Sequence, residues 1–270
     1  MRYLRNAIFV IIGLYLMILG AFFAFQRSLL YFPRTDTVAL SEAHANRTFK
    51  EFPVRTEDGI ALQAWYAPAS SKQFTLVFFH GNADSLYSAS SVADPYIAEG
   101  YGFLVTEYRG YSGMPGKPTE AGLYSDGRAY IRALIAQGVK SEDIVLFAHS
   151  LGTGVAVETA KEFHVGGVIL LAPYLSIPRM AQVEYPFLPA QLLTLDRFDN
   201  AAKIKGIHAP LLIVNGADDQ VIPPAQGKQL YELAINPREF RSLPNHGHND
   251  LFEDVAPIAL DWVNRVRGKS

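Results

Sequence analysis

The sequence predicts an α/β fold, a mostly parallel sheet flanked by helices, with a transmembrane helix at its N-terminus. After residue 46, short β-branched and aromatic runs alternate with longer amphipathic stretches, which is typical of βαβ units. Before that point, residues 7–25 contain no charged side chain. A chain of 270 residues is long enough for one large α/β domain. We therefore divide it into an anchor at 1–27, a juxtamembrane linker at 28–45 and an α/β domain at 46–268.

The anchor prediction depends on the length and flanks of the apolar segment. As a helix, residues 7–25 would extend roughly 28 Å, close to the hydrocarbon thickness of a bilayer. A cleaved signal peptide needs small residues before its cleavage site, but a cut after Ala24 places Phe22 three residues upstream. A core helix of a soluble protein would keep a polar face, which this segment lacks. Both alternatives stay open, and the anchor is favoured.

Charges at the two ends of the segment indicate an orientation. Arg2, Arg5 and the amino terminus slightly outnumber Arg27 and Arg34 on the other side. The positive-inside rule then places the N-terminus in the cytoplasm and the α/β domain on the non-cytoplasmic side. A protease-protection assay on intact cells that found the α/β domain in the cytoplasm would contradict this orientation.

Composition excludes several function classes. The net charge of −2 gives no electrostatic reason to expect a nucleic-acid partner. The chain has no cysteine, so disulfides, thiolate metal sites and cysteine nucleophiles are excluded. No clustered His, Asp or Glu spacing indicates a metal site, and Gly152-Thr-Gly154 does not fit a phosphate-binding loop. We expect neither a metal nor another cofactor.

Hydrophobic patterning and turn residues predict the elements of the α/β domain. An antiparallel hairpin turns at Asp58-Gly59, and the later strands are continuous apolar runs, as expected of strands buried on both faces. Strands are predicted at 49–54, 60–66, 74–79, 102–106, 144–148, 167–171, 210–214 and 239–243. Helices are predicted at 88–98, 120–137, 151–163, 225–233 and 250–266. Residues 175–199 fit neither pattern and are a candidate short lid.

A candidate nucleophile lies where a buried strand gives way to a helix. Ala148-His-Ser-Leu-Gly152 has the composition of a nucleophile elbow, in which a serine occupies a sharp turn and its neighbours two residues away are small. Ala148 replaces the usual glycine and is still small. The helix that follows favours negative charge developing near Ser150.

The remaining partners of such a serine follow later strands in the required order. The strand at 210–214 is followed by Asp218 and Asp219, and the final strand is followed by His246 and His248. An α/β-hydrolase fold requires Ser, then Asp or Glu, then His, each at the carboxyl end of a strand. The sequence therefore predicts that fold, with either aspartate and either histidine available as partners.

Other histidines have more ordinary interpretations. His80-Gly81-Asn82-Ala83 follows a long buried strand, at the loop that supplies one amide of an oxyanion hole, and Leu151 supplies the other. We interpret His80 as a structural residue that shapes this loop. Strand alternation directs His149 away from Ser150, so we interpret it as a packed neighbour and not as a base.

Six segments together carry a family resemblance. The chain resembles the small, membrane-anchored α/β-hydrolases of the bud-emergence type, which are related to α/β-hydrolase-domain proteins acting on acyl groups of lipids and palmitoylated proteins, and to prolyl-aminopeptidase-like hydrolases. The departures are Ala148 for glycine and Glu107 for aspartate. The segments are Phe79-His-Gly-Asn-Ala83, Tyr108-Arg-Gly-Tyr-Ser-Gly-Met-Pro115, His149-Ser-Leu-Gly-Thr-Gly-Val-Ala156, Asp196-Arg-Phe-Asp-Asn200, Gly216-Ala-Asp-Asp-Gln-Val-Ile-Pro223 and Gly247-His-Asn-Asp-Leu251.

The resemblance implies roles for particular residues. In the family's Gly-x-x-Asp-x-x-Val/Ile-Pro pattern the acid is the fourth residue of the pattern, here Asp219, and in its Gly-His-Asn-Asp pattern the base is the histidine, here His248. Asp218 and His246 remain the second choices. The backbone amides of Asn82 and Leu151 would bind the oxyanion, and Tyr111 is a candidate substrate-binding residue.

The function implied is hydrolysis of carboxylic esters or thioesters in lipid-like or acylated substrates, through a Ser-His-Asp triad and an acyl-enzyme. The apolar residues of the candidate lid would suit an acyl chain, and would equally suit ordinary packing. An aminopeptidase-like serine hydrolase and a catalytically silent, membrane-tethered binding module are the alternatives.

Overall fold

The apolar runs predicted as buried strands form the centre of one eight-stranded sheet. The computed structural model describes residues 1–34, 37, 39–40, 49–70, 74–235 and 237–268. The strands are β1 (Lys50–Glu51), β2 (Val54–Arg55), β3 (Ala61–Leu62), β4 (Trp65–Ala67), β5 (Thr75–Phe79), β6 (Gly102–Val105), β7 (Ile144–His149), β8 (Gly167–Leu171), β9 (Leu211–Gly216) and β10 (Arg238–Leu243). The sheet order is β1-β4-β6-β5-β7-β8-β9-β10, and β2 and β3 form a separate pair.

From β6 to β10 all neighbouring strands are parallel, whereas β1, β4 and β6 pair antiparallel at one side. This mixed sheet with helices on both faces confirms the predicted fold class. Because neighbouring parallel strands end at the same edge, the loops after β5, β7, β9 and β10 lie together.

Helices cover both faces of the sheet. The helices of the described residues, those beside the sheet included, are α1 (Arg2–Leu30), α2 (Leu86–Ser90), α3 (Asp94–Ala98), α4 (Glu120–Ala136), α5 (Gly152–Glu162), α6 (Ile177–Glu184), α7 (Ala190–Leu193), α8 (Asn200–Lys203), α9 (Pro224–Leu233) and α10 (Phe252–Arg267). Side chains alternate along each strand, so Val77 and Phe79 join a core with α4, α5 and α9, while Leu76 and Phe78 join a second core with α2, α3 and α10.

Prolines account for two differences from the predicted elements. The predicted hairpin is interrupted at Pro53, which lacks an N–H group, so β1 pairs with β4 in the large sheet and β2 pairs with β3. The single helix predicted at 88–98 is divided into α2, a short 3₁₀ turn at Ser91–Ala93 and α3. Pro95 occupies the first turn of α3, where its missing N–H costs nothing.

The N-terminal helix α1 is longer than the predicted anchor. It continues through Leu30, so the first residues of the predicted linker are helical, while linker residues 35, 36, 38 and 41–45 lie outside the described residues. Within the described residues, α1 is the one helix long and apolar enough to cross a membrane, and its most apolar stretch is not buried in the protein. This exposure contradicts the core-helix interpretation, and it is compatible with a membrane anchor or a signal sequence.

Side chains near the end of α1 bind the segment between β8 and β9. Arg27 donates two hydrogen bonds to the Asp196 carboxylate, with Nε–Oδ2 and Nη2–Oδ1 distances of 2.8 and 3.3 Å. Gln26 donates to the Leu193 carbonyl at 3.3 Å and accepts from the Leu195 N–H at 2.8 Å. The helix is therefore fixed against the α/β domain by polar contacts at its carboxyl end.

Candidate active site

Ser150 occupies the tight turn between β7 and α5. Its φ angle is +51°, a left-handed conformation that is rare for a residue with a side chain. The Ser150 N–H donates to the Leu171 carbonyl at 3.0 Å, which fastens the turn to β8. The strained backbone at a strand end is the geometry of a nucleophile elbow.

Space around the turn determines which neighbours are tolerated. A Cβ atom at position 152 would overlap the carbonyl oxygens of Phe79 and His80, so only glycine fits there. Ala148 lies in β7 and is fully buried, and its methyl group is accommodated in the core. The departure from glycine at 148 therefore leaves the elbow intact.

Three predicted side chains form a continuous chain of hydrogen bonds. His248 Nε2 lies 2.9 Å from Ser150 Oγ, and His248 Nδ1 lies 2.7 Å from Asp219 Oδ2. Ser150 follows β7, Asp219 follows β9 and His248 follows β10, so the shared edge of the parallel strands brings them together. An imidazole between a hydroxyl and a carboxylate can accept the hydroxyl proton while the carboxylate holds the ring in place.

The carboxylate is held in its ionised form. Burial alone would raise the pKa of Asp219, but hydrogen bonds from His248 and from the N–H groups of Ile222 and Val221 outweigh burial and lower that pKa below its ordinary value. Both backbone donors lie 2.8 Å from Oδ1. Asp218, the second choice from the sequence, is exposed and does not contact the histidine ring.

The second histidine of this loop lies away from Ser150. His246 Nε2 pairs with Asp254 Oδ2 at 2.7 Å, and its Nδ1 donates to the Pro244 carbonyl at 2.8 Å. Both ring nitrogens are therefore engaged with the start of α10 and the end of β10. The structure brings His248, and not His246, to the serine.

His149 packs directly against the candidate base. Its Nε2–H donates to the His248 carbonyl at 2.9 Å, and the two rings lie 4.8 Å apart. Burial, together with the nearby positive charge that His248 can carry, lowers the pKa of His149 to about 4. The ring is therefore neutral at physiological pH and serves as a fixed donor that positions the His248 backbone.

The loop after β5 offers backbone donors beside the serine. Asn82 and Leu151 both line the cavity that contains Ser150. Within the described ranges, neither backbone N–H donates to another protein group. These two amides are therefore available to an oxygen atom bound in the cavity.

The Asn82 side chain connects this loop to the end of α1. Its Oδ1 accepts from the Tyr111 hydroxyl at 2.7 Å and from the Phe32 N–H at 3.0 Å, and its Nδ2 donates to the Leu30 carbonyl at 2.6 Å. Tyr111 is fully buried and does not line the cavity. The prediction that Tyr111 contacts substrate is corrected accordingly, because its hydroxyl is used behind the loop to hold Asn82.

His80 also lies beneath the loop. Its Nε2 is 2.8 Å from Glu107 Oε1 and its Nδ1 is 2.8 Å from the Gly81 carbonyl, and the side chains of both His80 and Glu107 are fully buried. The other Glu107 oxygen accepts from the Leu86 N–H and the Ser112 hydroxyl. This buried network fixes the loop between β5 and α2, and Glu107 supplies the carboxylate in place of the aspartate usual in the resembled family.

An apolar cavity of about 830 Å³ opens over Ser150. Its walls come from the Asn82 loop, the Ser150 turn, the His248 loop, the candidate lid and the last turns of α1. The lid region forms α6, α7 and the turn between them. It contributes Ile177, Met180, Tyr185, Leu188, Ala190 and Leu193 to the wall. In the part of the chain that the structure describes, no group of three or more His, Cys, Asp or Glu residues is arranged to hold a metal.

Sequence reasoning missed the contribution of α1 to this cavity. Phe22, Phe23, Leu29 and Leu30 line it, although hydropathy assigned the first two to the anchor alone and the last two to the linker. The tether formed by the Asn82 side chain was also missed, because the loop motif points to its backbone amide. Pairing of Arg27 with Asp196 could have been suspected from the charged start of the Asp196-Arg-Phe-Asp-Asn200 segment, which had no assigned role.

Comparisons with known proteins are consistent with this architecture. A family model described as serine aminopeptidase, S33, matches residues 70–198. An uncharacterized Mycobacterium tuberculosis protein is 33% identical over 243 residues, covering 89% of this chain and 86% of that protein. Alpha/beta hydrolase domain-containing protein 17B of Homo sapiens is 33% identical over 206 residues, covering 74% of this chain and 69% of that protein.

Solved structures share the fold at low identity. An acetyl xylan esterase from Paenibacillus sp. R4 has a TM-score of 0.67 at 17% identity, covering 81% of this chain and 84% of that chain. The Pyrococcus furiosus esterase Pf2001 has a TM-score of 0.67 at 20% identity, covering 88% and 97%. These matches do not test the narrower resemblance to bud-emergence-type hydrolases, which stays a prediction.

Buried His149 should make the stability of the protein depend on pH. Its pKa is about 4 in the folded protein, whereas an unfolded histidine titrates near about 6.5. As the pH falls, the unfolded chain therefore binds the extra proton before the folded protein does. The contribution of neutral His149 to the free energy of unfolding is fully present above about pH 6.5 and is lost as the pH decreases to about 4. Glutamine at position 149 would keep a donor for the His248 carbonyl but would not titrate. We therefore expect His149→Gln to lose up to about 3 kcal/mol less unfolding free energy than the wild type as the pH falls.

Denaturant unfolding measured across this pH window checks the expectation. His164→Gln is the matched control, because it makes the same substitution at an exposed histidine outside the site. An acid-side slope that is identical in His149→Gln and in the wild type would contradict the role assigned to His149.

Proposed function

The chain belongs to the α/β-hydrolase superfamily, and on that premise we propose that it is a serine hydrolase of carboxylic esters or thioesters. The observation that carries the proposal is the hydrogen-bonded chain Ser150–His248–Asp219 at the floor of an apolar cavity. Esterases among the solved structures of the same fold support the reaction class by analogy.

The chemistry follows from the positions of the three side chains. His248 Nε2 accepts the Ser150 proton as Oγ attacks the acyl carbonyl, and ionised Asp219 stabilises the resulting imidazolium. The N–H groups of Asn82 and Leu151 donate to the oxyanion. His248 then protonates the leaving alcohol or thiol, and a water molecule, deprotonated by His248, releases the acyl group as a carboxylic acid and restores Ser150.

We also propose that α1 remains attached as a membrane anchor. Its last residues hold Asp196, the Asn82 side chain and the cavity wall, and a cleaved signal sequence would leave these contacts without partners. The apolar length of α1 suits a bilayer. A mature protein whose amino terminus lay beyond residue 30, read by N-terminal sequencing, would contradict this proposal.

An aminopeptidase-like activity is the second candidate. The match to the S33 family model favours it, and such an enzyme needs a carboxylate to hold the free amine of its substrate. Asp196 on the cavity wall already pairs with Arg27, but Glu184 is exposed on the same wall. The wall of the cavity is largely aliphatic and aromatic, which favours ester or thioester hydrolysis over aminopeptidase activity.

Substitution of the three side chains tests the proposed chemistry. We expect Ser150→Ala to abolish labelling by a fluorophosphonate and to lower kcat for p-nitrophenyl esters by about 10⁶, because the nucleophile is lost. Asp219→Asn should lower kcat by about 10⁴, because the imidazole loses its orienting charge. Asp218→Asn is the matched control, since this exposed neighbour should retain wild-type activity.

Three outcomes would change these assignments. A folded wild-type protein that does not react with the fluorophosphonate would favour the silent binding module. Faster hydrolysis of aminoacyl-nitroanilides than of esters, lost in Glu184→Gln, would favour the aminopeptidase. Full activity of Asp219→Asn combined with inactive Asp218→Asn would overturn the choice of acid.

Tyr111 provides a test of the loop that binds the oxyanion. Its hydroxyl is one of three partners that hold the Asn82 side chain, so we expect Tyr111→Phe to loosen the amide and lower kcat about tenfold with little change in KM. Tyr101→Phe is the matched control. It removes a 2.6 Å hydrogen bond from the tyrosine hydroxyl to the side-chain Oδ1 of Asn264, and neither residue lines the cavity. Equal effects on kcat in the two variants would contradict a positioning role for Tyr111.

A further inference from the structure

The last turns of α1 form one wall of the cavity over Ser150. Phe22, Phe23, Leu29 and Leu30 all line it, and the Phe22 ring packs edge-on against Tyr185 of the candidate lid at 5.1 Å. A helix that served only as a tether would have no reason to contact the cavity. The apolar segment and the reactive serine therefore share one continuous apolar surface.

The lid reaches along α1 to the level of its apolar middle. The Tyr15 hydroxyl donates to the Phe187 carbonyl at 2.9 Å, and Tyr15 lies ten residues, or about 15 Å, before Phe25 along the helix. If α1 spans a bilayer with residues 7–25, the turn between α6 and α7 lies below the membrane surface, within the apolar layer.

Exposed apolar side chains of the lid, in this turn and in the helices beside it, are suited to a lipid environment. Phe187 and Leu192 are 56% and 85% exposed in the protein alone, and Val183 and Leu195 are also exposed. Exposed apolar side chains clustered beside a membrane helix indicate contact with lipid.

Several backbone carbonyls of the lid are hydrogen-bonded to protein side chains and do not need water. Five of its carbonyls accept hydrogen bonds from side chains, namely Phe187 from Tyr15, Pro186 from Gln182, Leu193 from Gln26, Ala190 from Thr194 and Gln191 from Arg197. A segment in hydrocarbon must satisfy its backbone polar groups internally, because no water is present to do so. Polar side chains of α1 provide two of these five bonds, so the lid and α1 form one unit.

From this geometry we propose that the substrate is a membrane amphiphile whose acyl chain enters the cavity directly from the bilayer, between α1 and the lid. The proposal rests on the proposed serine hydrolase function and names its substrate class. Phe22 contacts the chain as it passes, and the scissile carbonyl stops at Ser150, near the level where Gln26 and Arg27 end the apolar part of α1. The headgroup remains on the aqueous side of the interface.

A pair of phenylalanines on α1 allows a matched test. Phe22 lines the cavity, whereas Phe25 does not line it and is 64% exposed, so both side chains would meet lipid but only Phe22 would meet substrate. The full-length protein, Phe22→Ala and Phe25→Ala are reconstituted in phosphatidylcholine vesicles. Hydrolysis of p-nitrophenyl hexadecanoate carried in the vesicles is compared with hydrolysis of p-nitrophenyl acetate in solution.

We expect Phe22→Ala to lower the ratio of kcat/KM for hexadecanoate to kcat/KM for acetate about tenfold, because apolar contact with the long chain is lost. Phe25→Ala should keep the wild-type ratio. A ratio unchanged in Phe22→Ala, or lowered equally in both variants, would overturn access from the bilayer while leaving the serine hydrolase in place.

Labelling by a small fluorophosphonate, run beside the assay, distinguishes weaker binding of the acyl chain from loss of the reactive serine. Labelled Phe22→Ala protein shows that the variant is folded and its serine reactive, so a lowered ratio then reports chain binding. Failure of the wild type to label or to hydrolyse either ester would overturn the proposed function itself, and with it the substrate class.

Discussion

The backbone ladder at the carboxyl edge of the sheet is the constraint on which the site depends. Beyond the strands themselves, the Ser150 N–H bonds the Leu171 carbonyl, and the Asp218 N–H bonds the His246 carbonyl at 2.9 Å. The serine turn is thus fixed to β8, and the acid loop is fixed to the histidine loop. Because these bonds involve backbone only, they place side chains that are 98 residues apart within 2.9 Å without using the reactive groups themselves.

A second dependence joins the sheet edge to α1. The Asn82 side chain bonds the backbone of both Leu30 and Phe32, so the loop that offers an amide to the cavity is held partly by the end of the apolar helix. The side-chain amide is suited to this position because it both donates and accepts. Removing α1 would expose these groups to water and would leave the loop unsupported on one side. The helix is therefore a structural part of the site.

Local signals account for what the sequence could predict. The strand-turn-helix around Ser150 and the polar loops after the last strands carry short-range patterns, which predicted the serine and left two aspartates and two histidines as partners. In the structure Ser150, Asp219 and His248 lie together. Contacts between distant segments left no such pattern. Tyr111 was assigned to substrate from its motif, whereas its hydroxyl is directed by tertiary packing to Asn82, and hydropathy classified Phe22 by its lipid affinity alone.

The placement of α1 follows from the cost of an open apolar groove. Without α1 the walls supplied by α6 and α7 would face water, at roughly 25 cal/mol for each Å² of apolar surface. Covering the groove with an apolar helix removes this cost where the helix contacts the groove walls. Specific recognition is then needed only at the end, where Arg27 meets Asp196 and fixes the rotation of the helix. The hydrophobic effect therefore joins α1 to the cavity, and the apolar surface of the helix continues into the cavity wall over Ser150.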